Sequence, residues 1–208
     1  MNARLLGVAL VLAAARPATA VAQVERLAGR VDDATRAAVA AVVDSAREAG
    51  VPAEPLVNKA LEGASKGADG ARIVAAVHAL AGDLGRARSA LGPGASPAEL
   101  VAGGAAVRAG VRGAVLEELR ARYPRESLMV PLAVMADLVA RGVPADTAAR
   151  SVLVLMREGV RDAELVAFRQ SVERDIALGA PAGGAAAVRL DGALPGTTST
   201  TPAAPRKP

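Results

Sequence analysis

The 208-residue chain has no cysteine and no tryptophan, and only one histidine, one tyrosine and one phenylalanine. Without cysteine there is no disulfide framework, no thiolate metal site and no cysteine nucleophile. Tyr123 and Phe168 are the only rings, too few for an aromatic cage or a base-stacking platform. Long apolar runs are also scarce. The clearest spans residues 5–15, and eleven residues rise about 16 Å as a helix, roughly half of a bilayer core.

What the chain has in quantity is alanine, at 52 of 208 residues, in a sequence that is 52% hydrophobic and 22% charged. That balance argues against wholesale disorder and suits one domain with tails. The computed isoelectric point of 10.3 suggests a polyanion partner, but the charge is misplaced for one. Residues 21–180 carry 20 basic and 20 acidic side chains. A nucleic-acid face needs clustered excess charge, usually with stacking rings. Nucleic acid is therefore not expected as a partner.

The two ends differ from the body. Arg4, the apolar run and Ala18-Thr19-Ala20 have the order of a secretory signal over residues 1–20. Cleavage is expected after Ala20 or, in a second register, Ala22; an uncleaved anchor is the alternative. No membrane span is expected once the signal is gone. Residues 181–208 are dense in Pro, Gly and Thr and end in Pro-Arg-Lys-Pro. They offer no apolar stripe, and the expectation is a disordered tail.

Between the ends, residues 21–180 read as one helical domain. Val24, Leu27, Val31, Ala34, Ala38 and Val42 step by three or four, as on one long helix. Further helical runs are punctuated by Gly50-Val51-Pro52, Gly67, Gly92-Pro93-Gly94, Pro124, Gly142-Val143-Pro144 and Gly159. No stretch alternates with period two. The expected fold is all-α, about seven helices in stacked hairpins, without a sheet. The densest core should hold Met135, Leu153, Leu155, Met156, Leu165, Phe168 and Val172.

The hairpins echo one another. Laying residues 50–76 on 142–168, an offset of 92, gives nine identities in 27 positions. They include Gly50/Gly142, Val51/Val143, Pro52/Pro144, Leu61/Leu153 and Gly67/Gly159, which are helix starts, stops and inward positions. A repeated αα-hairpin needs matches at those places. Pro97-Ala98-Glu99 with Gly110 suggests a shorter third copy.

Reactive chemistry finds little support. Gly63-Ala64-Ser65-Lys66-Gly67 has the G-x-S-x-G spacing, followed by Asp69 and His78. A nucleophile elbow needs a strand before the turn, however, and here Ser65 ends a helix. His78 should lie off the apolar stripe, with Val74, Ala75, Ala81 and Gly82 at the positions where a second metal ligand would stand. The adjacent acids Asp32-Asp33 and Glu117-Glu118 point 100° apart on a helix and cannot share a proton; pairing with Arg30, Arg36, Arg120 or Arg122 is expected instead. Arg169 and Glu173 are spaced to pair. Gly103-Gly104 suits close helix packing.

No catalytic, cofactor-binding or metal-binding residue is assigned and no cofactor is expected. The function these features suggest is an exported, periplasmic or secreted, non-enzymatic helical module for protein–protein interaction or envelope scaffolding. Its partner would be another envelope or secreted protein. The rivals are an extracytoplasmic enzyme with an acid–arginine site assembled between helices, and a tail that binds anionic envelope polymers.

Overall fold

The computed structural model describes residues 18–193; most of the signal-like stretch and residues 194–208 of the tail lie outside them. The described residues are all-helical, without a strand. The helices are α1 (Ala18–Glu25), α2 (Asp33–Glu48), α3 (Ala53–Ser65), α4 (Gly70–Leu91), α5 (Pro97–Arg108), α6 (Gly113–Arg122), α7 (Met129–Ala140), α8 (Ala145–Arg157), α9 (Asp162–Ala177) and α10 (Ala182–Ala193).

One corner joins most of them. At Gly50 and Gly142 the backbone turns left-handed, φ +75° and +92°, where a Cβ would be strained. The next residue's N–H then reaches back five positions: Val51 to the Ala46 carbonyl (2.9 Å) and Val143 to that of Leu138 (3.0 Å). This closes the helix end in a Schellman motif, and a new helix starts three residues past the glycine. The same bond follows Gly67, Gly110, Gly159 and Gly179, from Ala68, Val111, Val160 and Ala180. Val51, Val111 and Val143 are buried, so each of those corners is pinned by a hydrogen bond and an apolar plug.

The repeat is visible in the helix limits. α3 and α8 begin and end 92 residues apart, as do the ends of α2 and α7 and the starts of α4 and α9. Around these corners the two copies differ in their neighbours. α3 packs on α2 as α8 packs on α7, but α3 also lies along α4, whereas α8 lies against α10. α5 bridges the copies, lying on α4 and on α7. Its own start departs from the pattern. Ser96 caps it, so Pro97 is the first helical residue, one place further in than Pro52 and Pro144.

Three differences from the sequence reading raise the count from about seven to ten. The expected long first helix is broken, because Gly29 turns at φ +67° and Asp32 caps α2 by accepting the Thr35 N–H at 2.8 Å. The run through Gly110 to Pro124 is split by the Gly110 corner. The third difference is a correction: residues 182–193, assigned to a disordered tail, form α10. Pro181 accepts the first bond of that helix, from the Ala185 N–H (2.9 Å). Ala185 and Ala186 are buried, α10 lies on α8 and α9, and Arg189 grips Asp175 through two nitrogens (2.6 and 2.7 Å). Small side chains, which lack a stripe by hydropathy, here permit close approach. The domain therefore runs past Ala180 to Ala193.

Two apolar clusters form the interior. One gathers Leu27, Val39, Val43, Leu56, Val57, Ile73, Val77 and Leu84 from the first four helices. The other runs from Ala87 and Leu91 through Leu132, Met135, Leu155, Leu165, Phe168 and Val172 to Ala186. α4, the longest helix, contributes to both. Leu153 is only half-buried, as is Val154, so the apolar run in α8 does not face the core on all sides.

Candidate interaction groove

The residues singled out by the sequence are not assembled into a reactive centre. Ser65 is the last residue of α3, and its hydroxyl donates to the Glu62 carbonyl at 2.8 Å. Asp69 caps α4 by accepting the Arg72 N–H at 2.8 Å. His78 is exposed two and a half turns further along α4, over a shallow depression lined by Ala38, Ala41 and Gly82. Asp32 caps α2 and accepts the Thr35 hydroxyl at 2.7 Å, while Asp33 pairs with Arg36 at 2.8 Å. The Thr35 N–H and hydroxyl hold the Asp32 carboxyl below the usual range. Glu118 pairs with Arg122 (3.4 Å) and Arg169 with Glu173 (3.0 Å). Among the described residues no group of His, Asp and Glu is placed to hold a metal ion.

Arg120 departs from its expected role. Instead of pairing with the acids one turn earlier, it crosses to Glu99 on α5. Glu99 is 5% exposed. Its carboxylate also accepts the N–H of Ser96 (2.8 Å) and of Leu128 (2.9 Å), so one side chain closes the start of α5 and fixes the entry to α7. Burial alone pushes this carboxyl up. The Leu128 and Ser96 N–H groups, the Arg120 guanidinium and the Ser96 hydroxyl outweigh it and hold the pKa at about 2. Asp83 of α4 is similarly enclosed, between Arg86 and Arg108, both at 2.6 Å. Both are inter-helix acid–arginine nodes of the kind the enzyme rival requires. Their carboxylates are already occupied by guanidinium and backbone donors, and neither residue lines a cleft described below.

Two depressions border α5. The first, about 880 Å³, lies where α2 and α4 end and α3 and α5 begin; its charged lining is mixed, with Asp44, Arg47, Glu48 and Arg88. The second, about 670 Å³, is a groove with α3 and α5 as walls and α7 alongside. Ala98, Val101, Ala102, Ala105, Ala133 and Ala136 make it apolar, and Met129 closes one side. Val101 and Met129 are 45% and 41% exposed, two of only four large hydrophobic residues exposed among the described ones. Its polar rim holds Glu54, Asp137 and Asn58, and the Asn58 side chain accepts from the Arg26 guanidinium at 3.0 Å. Glu54 has no hydrogen bond or ion pair among the described residues, and Asp137 is shared with Arg169 at 3.3 Å.

The sequence reading did not find this groove. Its walls come from three helices whose spacing depends on tertiary packing, and the alanines that line it look like those that pack elsewhere. Fold and groove together define an all-α, hairpin-built protein with an open apolar channel between its two copies. No family model matches the chain, and no curated protein or solved structure is significantly similar to it.

Proposed function

We propose that this protein is an exported, non-enzymatic helical module that acts through protein–protein contact in the envelope or outside the cell. One observation carries the reading: the α3/α5/α7 groove leaves Val101 and Met129 half in water beside a row of alanines. Exposed apolar channels rimmed by polar groups are characteristic of protein-binding surfaces. The export half of the reading rests on the order of residues 1–20. Among the described residues no helix is long and apolar enough to cross a membrane.

Covering the exposed halves of Val101 and Met129 is worth about 1 kcal/mol each at ~25 cal/mol per Å². Together that is about 30-fold in affinity. The test is capture from an envelope fraction with the mature protein as bait, beside a Val101→Glu, Met129→Glu bait. A stoichiometric partner retained by the first and reduced at least 30-fold on the second supports the reading. Equal capture by both baits, or no specific capture by either, overturns it.

A further inference from the structure

Leu178 stands where this fold leaves side chains outside. It is the last residue before the left-handed Gly179, at the corner between α9 and α10. Five other corners have the same left-handed glycine and backward hydrogen bond, and the residues before their glycines are Ala49, Lys66, Ala109, Arg141 and Glu158. In a Schellman motif the apolar contact falls to the residue after the glycine, so the one before it needs no apolar partner. None of the five is buried, and all are small or charged. Leu178 alone is large and apolar, and it is 82% exposed. Its neighbours Ala177, Gly179, Ala180 and Pro181 are small, so the corner forms a blunt apolar tip. Arg174, exposed one turn earlier on α9, adds a cation beside it, while Asp175 is held by Arg189.

The α3/α5/α7 groove offers the matching hollow. Val101 and Met129 are exposed along it, and Glu54 stands unpaired on its rim, where Arg26 is engaged by Asn58. Val188, the remaining exposed large hydrophobic residue, lines a different cleft, between α9 and α10. Within one molecule the tip and these groove residues cannot meet. Arg169 reaches Asp137 (3.3 Å) and Arg141 reaches Glu173 (3.6 Å), so α7 and α9 run in the same direction. Met129 begins α7, and Leu178 lies past its far end. Twelve residues from Met129 to Arg141 and five from Glu173 to Leu178 amount to about 25 Å at ~1.5 Å per residue.

We propose that the groove's partner is a second copy of this chain, which seats its Leu178 corner on Val101 and Met129 with Arg174 beside Glu54. Tip and groove stand at opposite ends of the α7/α9 pair. Two copies laid antiparallel therefore each offer a tip to the other's groove, and the pair closes two-fold. The exchange engages thirteen groove residues of each copy. With about six more from each tip, it approaches the roughly 20–30 a side of a stable interface, whereas a single tip in a single groove falls well short. The inference deepens the reading above and rests on its groove.

Sedimentation velocity of the purified full chain, with no other protein present, reads the pair directly. A dimer is expected to prevail at about 100 µM. Leu178→Glu, at a site already in water, should weaken it roughly 100-fold or more, because both contacts lose a covered leucine worth about tenfold each. Val101→Glu with Met129→Glu should do the same from the other side. The chain has no cysteine, so Ala177→Cys in one copy and Ala105→Cys in another report which surfaces meet. A short bismaleimide should join these unlike cysteines at least ~10-fold faster than like ones, through the raised effective concentration in the pair. A monomer throughout, a dimer that Leu178→Glu leaves intact, or like cysteines joined as fast as unlike ones overturns the inference. The partner reading is decided separately, by whether the Val101, Met129 bait loses a different protein, because Leu178 lies outside the groove.

Discussion

Glu99→Ala is expected to destabilise the protein by about 3–5 kcal/mol, the cost of leaving one partner of a buried, hydrogen-bonded ion pair behind. Four donors lose their acceptor at once: the Arg120 guanidinium, the N–H groups of Ser96 and Leu128, and the Ser96 hydroxyl. In a domain of this size the midpoint of thermal unfolding should fall by roughly 10 °C. Glu99→Gln keeps the shape and loses the charge, and its effect should depend on pH. The folded carboxyl titrates at about 2 against an ordinary 4.5. A depressed carboxylate stabilises the fold at pH values above its unfolded pKa and loses that contribution as pH falls through the folded one. The gap between wild type and Glu99→Gln should therefore be full at pH 7, about 3 kcal/mol, and shrink between pH 4.5 and 2. Urea unfolding at pH 7, 3.5 and 2.5 measures it. A gap that stays constant over that range would show that the ionised carboxylate is not what holds α5, α6 and α7 together.

The Glu99 node also marks the boundary of what the sequence discloses. Helix identity and most helix ends are local matters. Gly50, Gly142 and Gly159 announce them because a left-handed residue and a backward hydrogen bond need only a few consecutive residues. The offset of 92 was legible for the same reason, and the structure places α3 and α8 on it residue for residue. Ser96-Pro97-Ala98-Glu99 has the local spacing of a capping box, so the bond from Glu99 to the Ser96 N–H was legible; the Glu99–Arg120 pair joins positions 21 apart, and nothing local sets Arg120 apart from the other arginines. The misreadings share a cause. Val24, Leu27 and Val31 keep helical spacing across the turn at Gly29, so periodicity alone missed the break that Asp32 makes. α10 has no stripe, so hydropathy discarded it. Yet Gly179-Ala180-Pro181-Ala182 repeats the pattern of Gly50-Val51-Pro52-Ala53, and that corner was the signal for a further helix. The groove was least legible of all, since it is a gap between helices rather than a property of any one of them.

Gly104→Leu tests the other half of the architecture, the close approach that lets an alanine-rich chain build an interior. α4 and α5 pass so near each other at Gly104 that a Cβ there would stand 3.0 Å from Leu84 Cδ2, 3.5 Å from the Leu84 amide nitrogen and 3.6 Å from the Asp83 carbonyl carbon. Two of those three neighbours are backbone and cannot rotate away. Leu84 itself is wholly buried. A leucine at 104 must therefore push α4 and α5 apart, and the displacement strains the Asp83–Arg108 bond (2.6 Å) one turn further along α5. Overpacking of this kind costs about 3 kcal/mol. Gly104→Ala should be nearly neutral, because the tight contact is offset by the ~1 kcal/mol that alanine gains over glycine inside a helix. Gly85, on α4 with nothing within 4 Å of its built Cβ, supplies the contrast: Gly85→Ala gains that helix propensity without a clash and should stabilise by up to about 1 kcal/mol. Urea unfolding of the three variants separates packing from propensity. If Gly104→Leu fell within about 1 kcal/mol of wild type, the α4–α5 contact would be loose enough to yield, and close helix approach would not be what sustains this interior.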